Sequence, residues 1–388
     1  MDDLAAVFDP QWIFDFPDPY PVFAELRRAR PVTSFQMLHR PAWAVTRYDD
    51  VRAVLHDGDT YSSRANAEVG KYMGRTLIEM DGREHTRTRA LVQGAFAARP
   101  LETLTPVIEA LVHQLIDGFS ARDHADLVAE FTLLFPVQVI AHILGIPRGD
   151  HPRFQRWSFD LIAFSKDPAK GRAAAATLRD YFLPIVAERR AAPRDDVISR
   201  LVGGKVDDVG LTDDEVVSFL RLLLPAGAET TSRLIGSMLY ALLVEPARFE
   251  RVRSDRSLVP WAIEETLRWE TPVVFVARET TRAVEIAGIS IPAGKIVSAI
   301  IGSANRDETH YAEPDRFDLD RRADDHLSFA FGRHFCLGYH LAKLEARLAL
   351  TAFLDRLRNL RFVPGAPPPA ITGLAFRSPQ ALPARFEV

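Results

Sequence analysis

Apolar side chains return every three or four positions through most of residues 85–255, which is the spacing of helices that bury one face. The repeat breaks where proline, glycine or charged residues cluster, at residues 99–100, 121–123, 145–147 and 203–204. A shorter helix is predicted over residues 48–56. The central part of the chain is therefore expected to be nearly all helical.

The period changes after Thr271 and Pro272. Short apolar runs follow, at residues 273–277, 284–291 and 295–301. Gly288 and the Pro-Ala-Gly sequence at 292–294 separate these runs, as turns between strands would. A further short strand is predicted over residues 43–47. No repeat and no linker-like stretch divides the sequence, so one domain over residues 1–388, mainly α with small β-sheets, is expected.

Two segments stand out by length. Residues 57–84 carry glycines and mixed side chains over more positions than an ordinary connection needs, which predicts an irregular functional loop or lid. A capping box at 212–215 begins a helical repeat that continues to Val244, which predicts a helix roughly 50 Å long at 1.5 Å per residue. Proline and small residues at 225–228 predict a kink in it, beside Glu229 and Thr230.

Composition narrows the classes of protein. The 388 residues are 47% hydrophobic, and a net charge of -4 with a pI near 6.3 gives no reason to expect a nucleic acid partner. No run of about 18 apolar residues occurs, so no membrane span is expected. The first ten residues hold acids where a signal peptide needs positive charge, and the single cysteine cannot form an internal disulfide. We expect a soluble, cytoplasmic monomer.

The single cysteine, Cys336, lies between Gly332 and Gly338 among aromatic residues. These glycines let the backbone take positive φ angles and lie close to a flat ligand. A helical repeat follows from Leu341, so the sulfur is predicted at a helix N-terminus, where N–H groups favour a thiolate. Such a sulfur suits a haem iron. Two alternatives are a small buried hydrophobe and the nucleophile of a cysteine hydrolase that also uses His334.

The stretch around Cys336 resembles the haem-binding loop of the cytochrome P450 family, the haem-thiolate monooxygenases. The pattern Phe-x-x-Gly-x-His-x-Cys-x-Gly is matched at Phe329, Gly332, His334, Cys336 and Gly338. One departure is the alanine after the phenylalanine, where the family usually has glycine or a small polar residue. The resemblance implies a single-domain P450 fold, with a long central helix over haem b and Cys336 as the iron ligand.

The predicted kink also resembles a P450 element, the oxygen-activating stretch of the central helix. The match is Ala226-Gly227-Ala-Glu229-Thr230-Thr231. It implies that Thr230 hydrogen-bonds the bound dioxygen and that Glu229 relays protons. From the residues alone, an acid and a threonine in a helix are more commonly a solvated or back-bonded pair.

Two further sets of charged residues resemble family positions. Glu265 and Arg268 lie three apart and match the family's Glu-x-x-Arg, and the resemblance implies that Arg316 completes a buried charge cluster with them. The resemblance also implies that four basic residues bind the haem propionates: His85, Arg89, Arg278 and His334. Without the resemblance, both sets could be ordinary solvated helix faces.

The likeness runs in order from His85 to Gly338. It implies a substrate pocket formed by the 57–84 loop, residues 159–164, the kink at Ala226, the 273–275 stretch and the turn at 374–376, with Val274, Phe275 and Leu374 among its lining. Nearly all these positions are apolar, so a hydrophobic substrate is expected, although Arg64 or Arg75 could bind a substrate carboxylate.

The expected reaction inserts one oxygen atom of O₂ into the substrate. The sequence has no Gly-x-Gly-x-x-Gly after a strand and no cysteine set for an iron–sulfur cluster, so electrons must come from separate proteins, a ferredoxin and its reductase. Arg333, Lys343 and Arg347 could form the landing patch of the ferredoxin, or could be solvated charges. A peroxide-driven peroxygenase and a non-catalytic haem-binding sensor are the alternatives.

Overall fold

The computed structural model describes residues 16–37, 40–97, 102–365, 367 and 369–388. The first ten residues and the predicted break at 99–100 lie outside the described residues. The other three predicted breaks fall at the ends of helices, as expected from their glycine, proline and charged residues.

Helices make up most of the described chain, and most of them bury one apolar face in a single large core. They are α1 (Tyr20–Ala29), α2 (Tyr48–His56), α3 (Ala67–Met73), α4 (Gly82–Gln93), α5 (Thr105–Ser120), α6 (Phe135–Ile143), α7 (His151–Ile162), α8 (Pro168–Ala191), α9 (Val197–Gly203), α10 (Asp213–Leu223), α11 (Thr230–Leu243), α12 (Pro246–Ser254), α13 (Val259–Trp269), α14 (Ile301–Ala304) and α15 (Tyr339–Arg356). No helix of the described residues is both long enough and apolar enough to span a bilayer.

The long central helix consists of α10, a π-helical segment at Leu224–Glu229, and α11. Its predicted capping box is confirmed, because the Glu215 backbone N–H donates to Thr212 Oγ1 at 3.2 Å and the Thr212 N–H donates to Glu215 Oε2 at 2.8 Å. The predicted kink is the π segment, in which Pro225 has no N–H for the α-helical ladder. Beyond it, α11 packs against α12, α13 and α15.

The strands are short. They are β1 (Val32–Met37), β2 (Arg40–Val45), β3 (Tyr61–Ser62), β4 (His124–Asp126), β5 (Val276–Thr280), β6 (Val284–Ile286), β7 (Ile289–Ile291), β8 (Ile296–Ala299), β9 (Arg358–Phe362), β10 (Ile371–Thr372), β11 (Ser378–Pro379) and β12 (Pro383–Glu387). The largest sheet has the order β1-β2-β8-β5-β3, in which only β2 and β8 run parallel. A second sheet has the order β4-β12-β9, and β6-β7 and β10-β11 are two-stranded.

The prediction of an irregular loop over residues 57–84 is wrong. This segment contains β3, a 3₁₀ turn at Ser63–Asn66, the helix α3 and the start of α4. The backbone is ordered by polar contacts rather than by an apolar repeat: Asp81 accepts from Ser62 Oγ and the Ser63 N–H, and Asn66 Nδ2 donates to the Ile78 carbonyl at 3.0 Å. Such contacts between residues distant in the sequence leave no periodic pattern to detect.

A fully buried ion pair connects α13 to the segment that follows α14. Arg268 donates to both Glu265 oxygens at 2.8 Å, and both side chains are 0% exposed. The remaining Arg268 donors reach the carbonyls of Asn305, Pro314 and Arg316 at 2.8–3.1 Å. Every polar atom of the guanidinium is thereby used, as burial of a charge requires.

The predicted role of Arg316 in this cluster is corrected. Only its carbonyl contacts Arg268, and its side chain is 57% exposed and pairs with Glu313 and Asp318. Arg321 takes the expected place, since its Nε lies 3.2 Å from Glu265 Oε1 and its side chain is 13% exposed. The backbone turns between residues 316 and 321, so the Arg316 side chain points to solvent and the Arg321 side chain points toward Glu265.

We expect Arg268→Ala to lower the free energy of unfolding by about 3 to 5 kcal/mol, because it leaves the Glu265 carboxylate buried and unpaired. Arg316→Ala is the matched control and should cost less than about 1 kcal/mol, as exposed ion pairs do. Urea unfolding measures both. Similar losses in the two variants would contradict the burial of the pair.

Candidate functional site

The loop that carries Cys336 is held by its own backbone. The Cys336 N–H donates to the Phe329 carbonyl at 2.8 Å, and the chain between them turns through a short 3₁₀ segment at Gly332–His334. Gly332 has a φ of +74°, and a Cβ there would lie 2.9 Å from the Leu55 carbonyl oxygen, so glycine is required. Ala330 also has a positive φ, +59°, which costs about 1 kcal/mol in a residue with a Cβ.

In the polypeptide without a cofactor, the surroundings of Cys336 oppose ionisation of its thiol. Burial raises the pKa of the Cys336 thiol, although the N–H groups of Gly338 and Tyr339 and the Arg89 guanidinium act in the opposite direction. The N–H groups at the helix N-terminus thus favour the thiolate, as predicted, but burial outweighs them. A bound metal cation is the kind of charge that deprotonates such a thiol.

Four basic residues from three parts of the chain meet beside this loop. His85 and Arg89 lie one turn apart on α4, Arg278 lies on β5, and His334 lies in the loop. The rings of His85 and His334 are 4.1 Å apart. Arg89 Nη2 donates to the Phe335 carbonyl at 2.7 Å. The sequence prediction that these side chains come together therefore agrees with the geometry.

The basic cluster combines two arginines with two histidines whose pKa values are lowered by burial. Burial lowers the pKa of Arg278 to about 10, and burial, with His85 and Arg278, lowers the pKa of His334 to about 3. Burial also lowers the pKa of His85, whose Nε2 is buried without a hydrogen-bond partner. The nearest carboxylate, Asp81, lies 3.8 Å from His334.

This donor set fits a group that carries two carboxylates. Arg278 is 5% exposed, and its side-chain hydrogen bond within the described residues goes to the Ala277 carbonyl, a weak partner for a buried cation. Carboxylates would offset the burial of Arg278 and would give His85 Nε2 the partner that it lacks. Haem b has two propionates on one edge and an iron at its centre, so the cluster and Cys336 together fit it.

The small-residue kink of the central helix presents a hydroxyl and a carboxylate in different directions. Thr230 Oγ1 donates to the Ala226 carbonyl at 2.7 Å, and Ala226 is exposed to open space. The Glu229 carboxylate instead accepts from Arg233 Nη2 at 2.7 Å. Sequence reasoning missed Arg233, although an acid and an arginine four apart on a helix are a recognisable pair.

Two adjoining cavities lie on the Glu229 side of the central helix, with volumes of about 150 Å³ and 200 Å³. They share the side chains of Phe159, Ile162, Glu229, Arg233 and Gln380. Two residues of the predicted pocket segment 159–164, Phe159 and Ile162, thus line both cavities, whereas Ala226 lines neither.

Two of the three residues predicted to line the substrate pocket, Val274 and Leu374, lie in the hydrophobic core instead. Val274 and Leu374 are 0% and 1% exposed and pack together in a core cluster, so they line no open space. Phe275 is half-buried and packs against the same core cluster. The Val274 N–H donates to the Ala375 carbonyl at 2.9 Å, which joins this segment to the C-terminal turn.

Most of the other predicted surface cations are already paired. Arg333 binds both oxygens of Asp59 at 2.6 and 3.0 Å, and Lys343 contacts the Glu264 carboxylate. Arg75 is likewise bidentate to Glu84, at 2.7 and 2.6 Å. The landing patch and the role of Arg75 as a substrate anchor stay predictions, and both involve side chains that already have an ion pair.

Arg64 and Arg347 remain. Arg64 lies 3.5 Å from the Glu279 carboxylate with most of its side chain in solvent, and Arg347 is exposed. Beside Cys336, the Phe335 ring is 38% exposed, an apolar surface that the sequence reading did not single out. The face over the cysteine loop is therefore less basic and more apolar than expected.

Comparison with known proteins gives a consistent answer. The family profile described as Cytochrome P450 matches residues 150–380. The putative cytochrome P450 YjiB of Bacillus subtilis is 35% identical over 354 residues, which are 89% of each chain. The mycinamicin IV hydroxylase/epoxidase of Micromonospora griseorubida is 36% identical and aligns over 93% of this chain and 94% of its own.

Solved structures agree with the sequence comparisons. Cytochrome P450 CYP109Q5 from Chondromyces apiculatus superimposes with a TM-score of 0.90 at 37% identity, over 96% of both chains. CYP109E1 from Bacillus megaterium, solved in complex with testosterone, gives a TM-score of 0.88 at 34% identity, over 96% of this chain and 100% of its own.

The low pKa of His334 predicts how the haem-free protein responds to acid. Because burial lowers this pKa from 6.5 to about 3, the unfolded chain binds a proton between those values that the folded chain does not. The contribution of the neutral His334 to the free energy of unfolding is therefore fully present above pH 6.5 and is lost as the pH falls toward 3. We expect a shallower decrease in urea-unfolding free energy for His334→Gln than for the wild type. The exposed His340→Gln is the control, and identical slopes in all three proteins would contradict the burial of a neutral His334.

Proposed function

This chain belongs to the cytochrome P450 family of monooxygenases, and we propose that it oxidises a hydrophobic small molecule with O₂ and two electrons from a ferredoxin and its reductase. One observation supports the proposal above all: Cys336 lies beside a basic cluster in which Arg278 and His85 are buried without anionic partners. Haem b, the cofactor of the family, supplies the redox chemistry by which O₂ is cleaved.

The residues around Cys336 have separate roles in holding the cofactor. Cys336 would provide the thiolate ligand of the iron. His85, Arg89, Arg278 and His334 would bind the propionates. Phe329, Gly332 and Gly338 shape the loop, and the required glycine at 332 lets it pass close to α2.

Proton delivery would use the kink of the central helix. Because the Thr230 hydroxyl donates to the Ala226 carbonyl, its oxygen lone pairs are free to accept a hydrogen bond from a water molecule in the same space. Glu229 would take protons from water in the adjoining cavities and pass them toward Thr230. This intact pair favours a monooxygenase over a peroxygenase or a non-catalytic sensor, neither of which needs such a relay.

The hydrolase alternative fits the geometry poorly. A general base works best when its pKa lies near the working pH, and the pKa of His334 is about 3. His334 Nε2 is also 2.9 Å from Ser63 Oγ, which makes that serine its neighbour in place of a substrate group. A hydrolase would have no use for buried Arg278.

The substrate class is inferred from apolar surroundings and from relatives. One relative, from Salinispora arenicola, is named a cyclomarin C epoxidase, and a structural neighbour was solved with testosterone. Phe159, Ile162 and Phe376 supply apolar surface near the central helix. We infer a hydrophobic substrate, which a screen that follows the iron spin state would identify. The cytoplasmic location and the monomeric state stay predictions.

The electron donor would dock over the cysteine loop, where the sulfur is closest to the surface. On this face Arg333 and Lys343 are paired to acids, whereas the Phe335 ring and Arg347 are exposed. A ferredoxin that contacts an apolar centre with a small charged rim would fit it.

Replacing the sulfur tests the proposed iron ligand. In the reduced protein under carbon monoxide, we expect the Soret band at longer wavelength than that of a nitrogen-ligated haem, because a thiolate ligand donates electron density to the iron. Cys336→Ser should abolish this band position. A nitrogen-type spectrum in the wild type, or an unchanged spectrum in the variant, would refute the assignment.

Thr230→Ala tests the relay. Without the hydroxyl, we expect product per electron pair to fall by about tenfold, at the modest end of what positioned proton transfer contributes, while NADPH consumption continues. Product and peroxide are measured together in a reaction with the ferredoxin and reductase. Thr230→Ser keeps a hydroxyl and is the control. Full coupling in the alanine variant would argue against Thr230 in this role.

A further inference from the structure

Arg233 connects the Glu229 carboxylate to the C-terminal turn of the chain. Its Nη2 donates to Glu229 Oε1 at 2.7 Å, and its Nη1 donates to Ser378 Oγ at 3.1 Å and to the Phe376 carbonyl at 3.4 Å. The guanidinium carbon also lies 5.6 Å from the centre of the Phe376 ring. One side chain therefore bridges α11 and the turn between β10 and β11.

This pair differs from a surface ion pair. The side chains of Arg233 and Glu229 are only 16% and 14% exposed, and Arg233 Nε is buried without a hydrogen-bond partner. An exposed pair of this kind holds neither partner firmly, because water and side-chain entropy compete. Here the planar guanidinium is fixed at both ends, so it also restrains the orientation of the carboxylate that it binds.

The ion pair of Glu229 and Arg233 lies where water can reach it. Both cavities on this side of the central helix are lined by Glu229 and Arg233, and the larger one is also lined by Phe376. Polar partners and a volume of about 200 Å³ are sufficient for ordered water. The Glu229 carboxylate therefore faces this space, and Thr230 is the next residue along the helix.

We propose that Arg233 is a positioning residue for proton delivery, which holds the Glu229 carboxylate at the edge of the cavities and uses Ser378 and Phe376 as its anchor. The inference rests on the proposed function of Glu229. In the step concerned, a proton leaves a cavity water for a Glu229 oxygen and then passes toward the Thr230 hydroxyl oxygen, while bulk solvent replaces it. Arg233 itself gains and loses no proton.

The first test measures the turn and the carboxylate without turnover. In haem-loaded Arg233→Gln, we expect faster amide hydrogen exchange over residues 374–380, because the anchor of the turn is gone. Infrared difference spectra against Glu229→Gln should show the stretching bands of the Glu229 carboxylate shifted from their wild-type positions, because the charge-assisted hydrogen bond from Arg233 is gone. Unchanged exchange and an unchanged carboxylate band would overturn the proposal.

The second test measures coupling. Arg233→Gln should lower product per electron pair by several-fold and raise the solvent deuterium isotope effect, and Arg233→Lys should restore part of the loss. The control is Arg248→Gln, since Arg248 also pairs with a glutamate and is similarly buried but lies on α12. In the Glu229→Gln background the Arg233 effect should disappear. Additive effects would mean that Arg233 acts independently of Glu229.

Failure of the two proposals can be told apart. If the wild type makes no product with any substrate that shifts the iron spin state, the monooxygenase proposal fails, and the exchange and infrared measurements still decide the role of Arg233. If the wild type makes product and Arg233→Gln is fully coupled, with the carboxylate band unmoved, only the positioning role fails.

Discussion

The buried pair of Glu265 and Arg268 is the constraint on which the cysteine loop depends. Through the carbonyls of Asn305 and Pro314 it fixes the backbone that follows α14. The Asn305 side chain then accepts from the Leu327 N–H and donates to Ser328 Oγ, both at 2.8 Å, just before the loop begins. A charge buried on one helix thus determines where the sulfur lies, although no atom of the pair touches it. A surface pair could not do this, because its geometry would be averaged by solvent.

A second electrostatic feature is the burial of Arg278 beside that loop. It is a cation with a backbone carbonyl as its side-chain partner, so its burial costs free energy in the polypeptide without its cofactor. A ligand with two carboxylates would offset this cost and would give His85 Nε2 a partner. Cofactor binding and stability are therefore coupled, in the sense that a ligand bound only by the native state stabilises it.

The sequence predicted what depends on local or periodic patterns. The bounds of α2, the capping box at Thr212 and the kink before Thr230 follow from residues close in sequence, and all three are present. The four basic residues of the cluster were found only through the family resemblance, since spacing alone could not bring α4, β5 and the loop together. The helix content of residues 57–84 was missed because long-range polar contacts order it. Arg321 was missed for a related reason, since which of two nearby arginines turns inward is decided by the tertiary path of the chain.

The π-helical segment in the central helix has a consequence for how the two halves of that helix can vary. Successive residues of an α-helix are rotated by about 100° about the helix axis. One additional residue in a widened turn therefore rotates the helix before the turn by about 100° relative to the helix after it. The two halves, α10 and α11, are thus out of phase with each other. A single-residue deletion within 224–229 that restored the regular hydrogen-bond ladder would rotate the whole of α10 about the helix axis. Substitutions confined to α10 would instead leave the directions of the Glu229 and Thr230 side chains unchanged. The side chains of α10 can therefore vary without disturbing the residues of the kink.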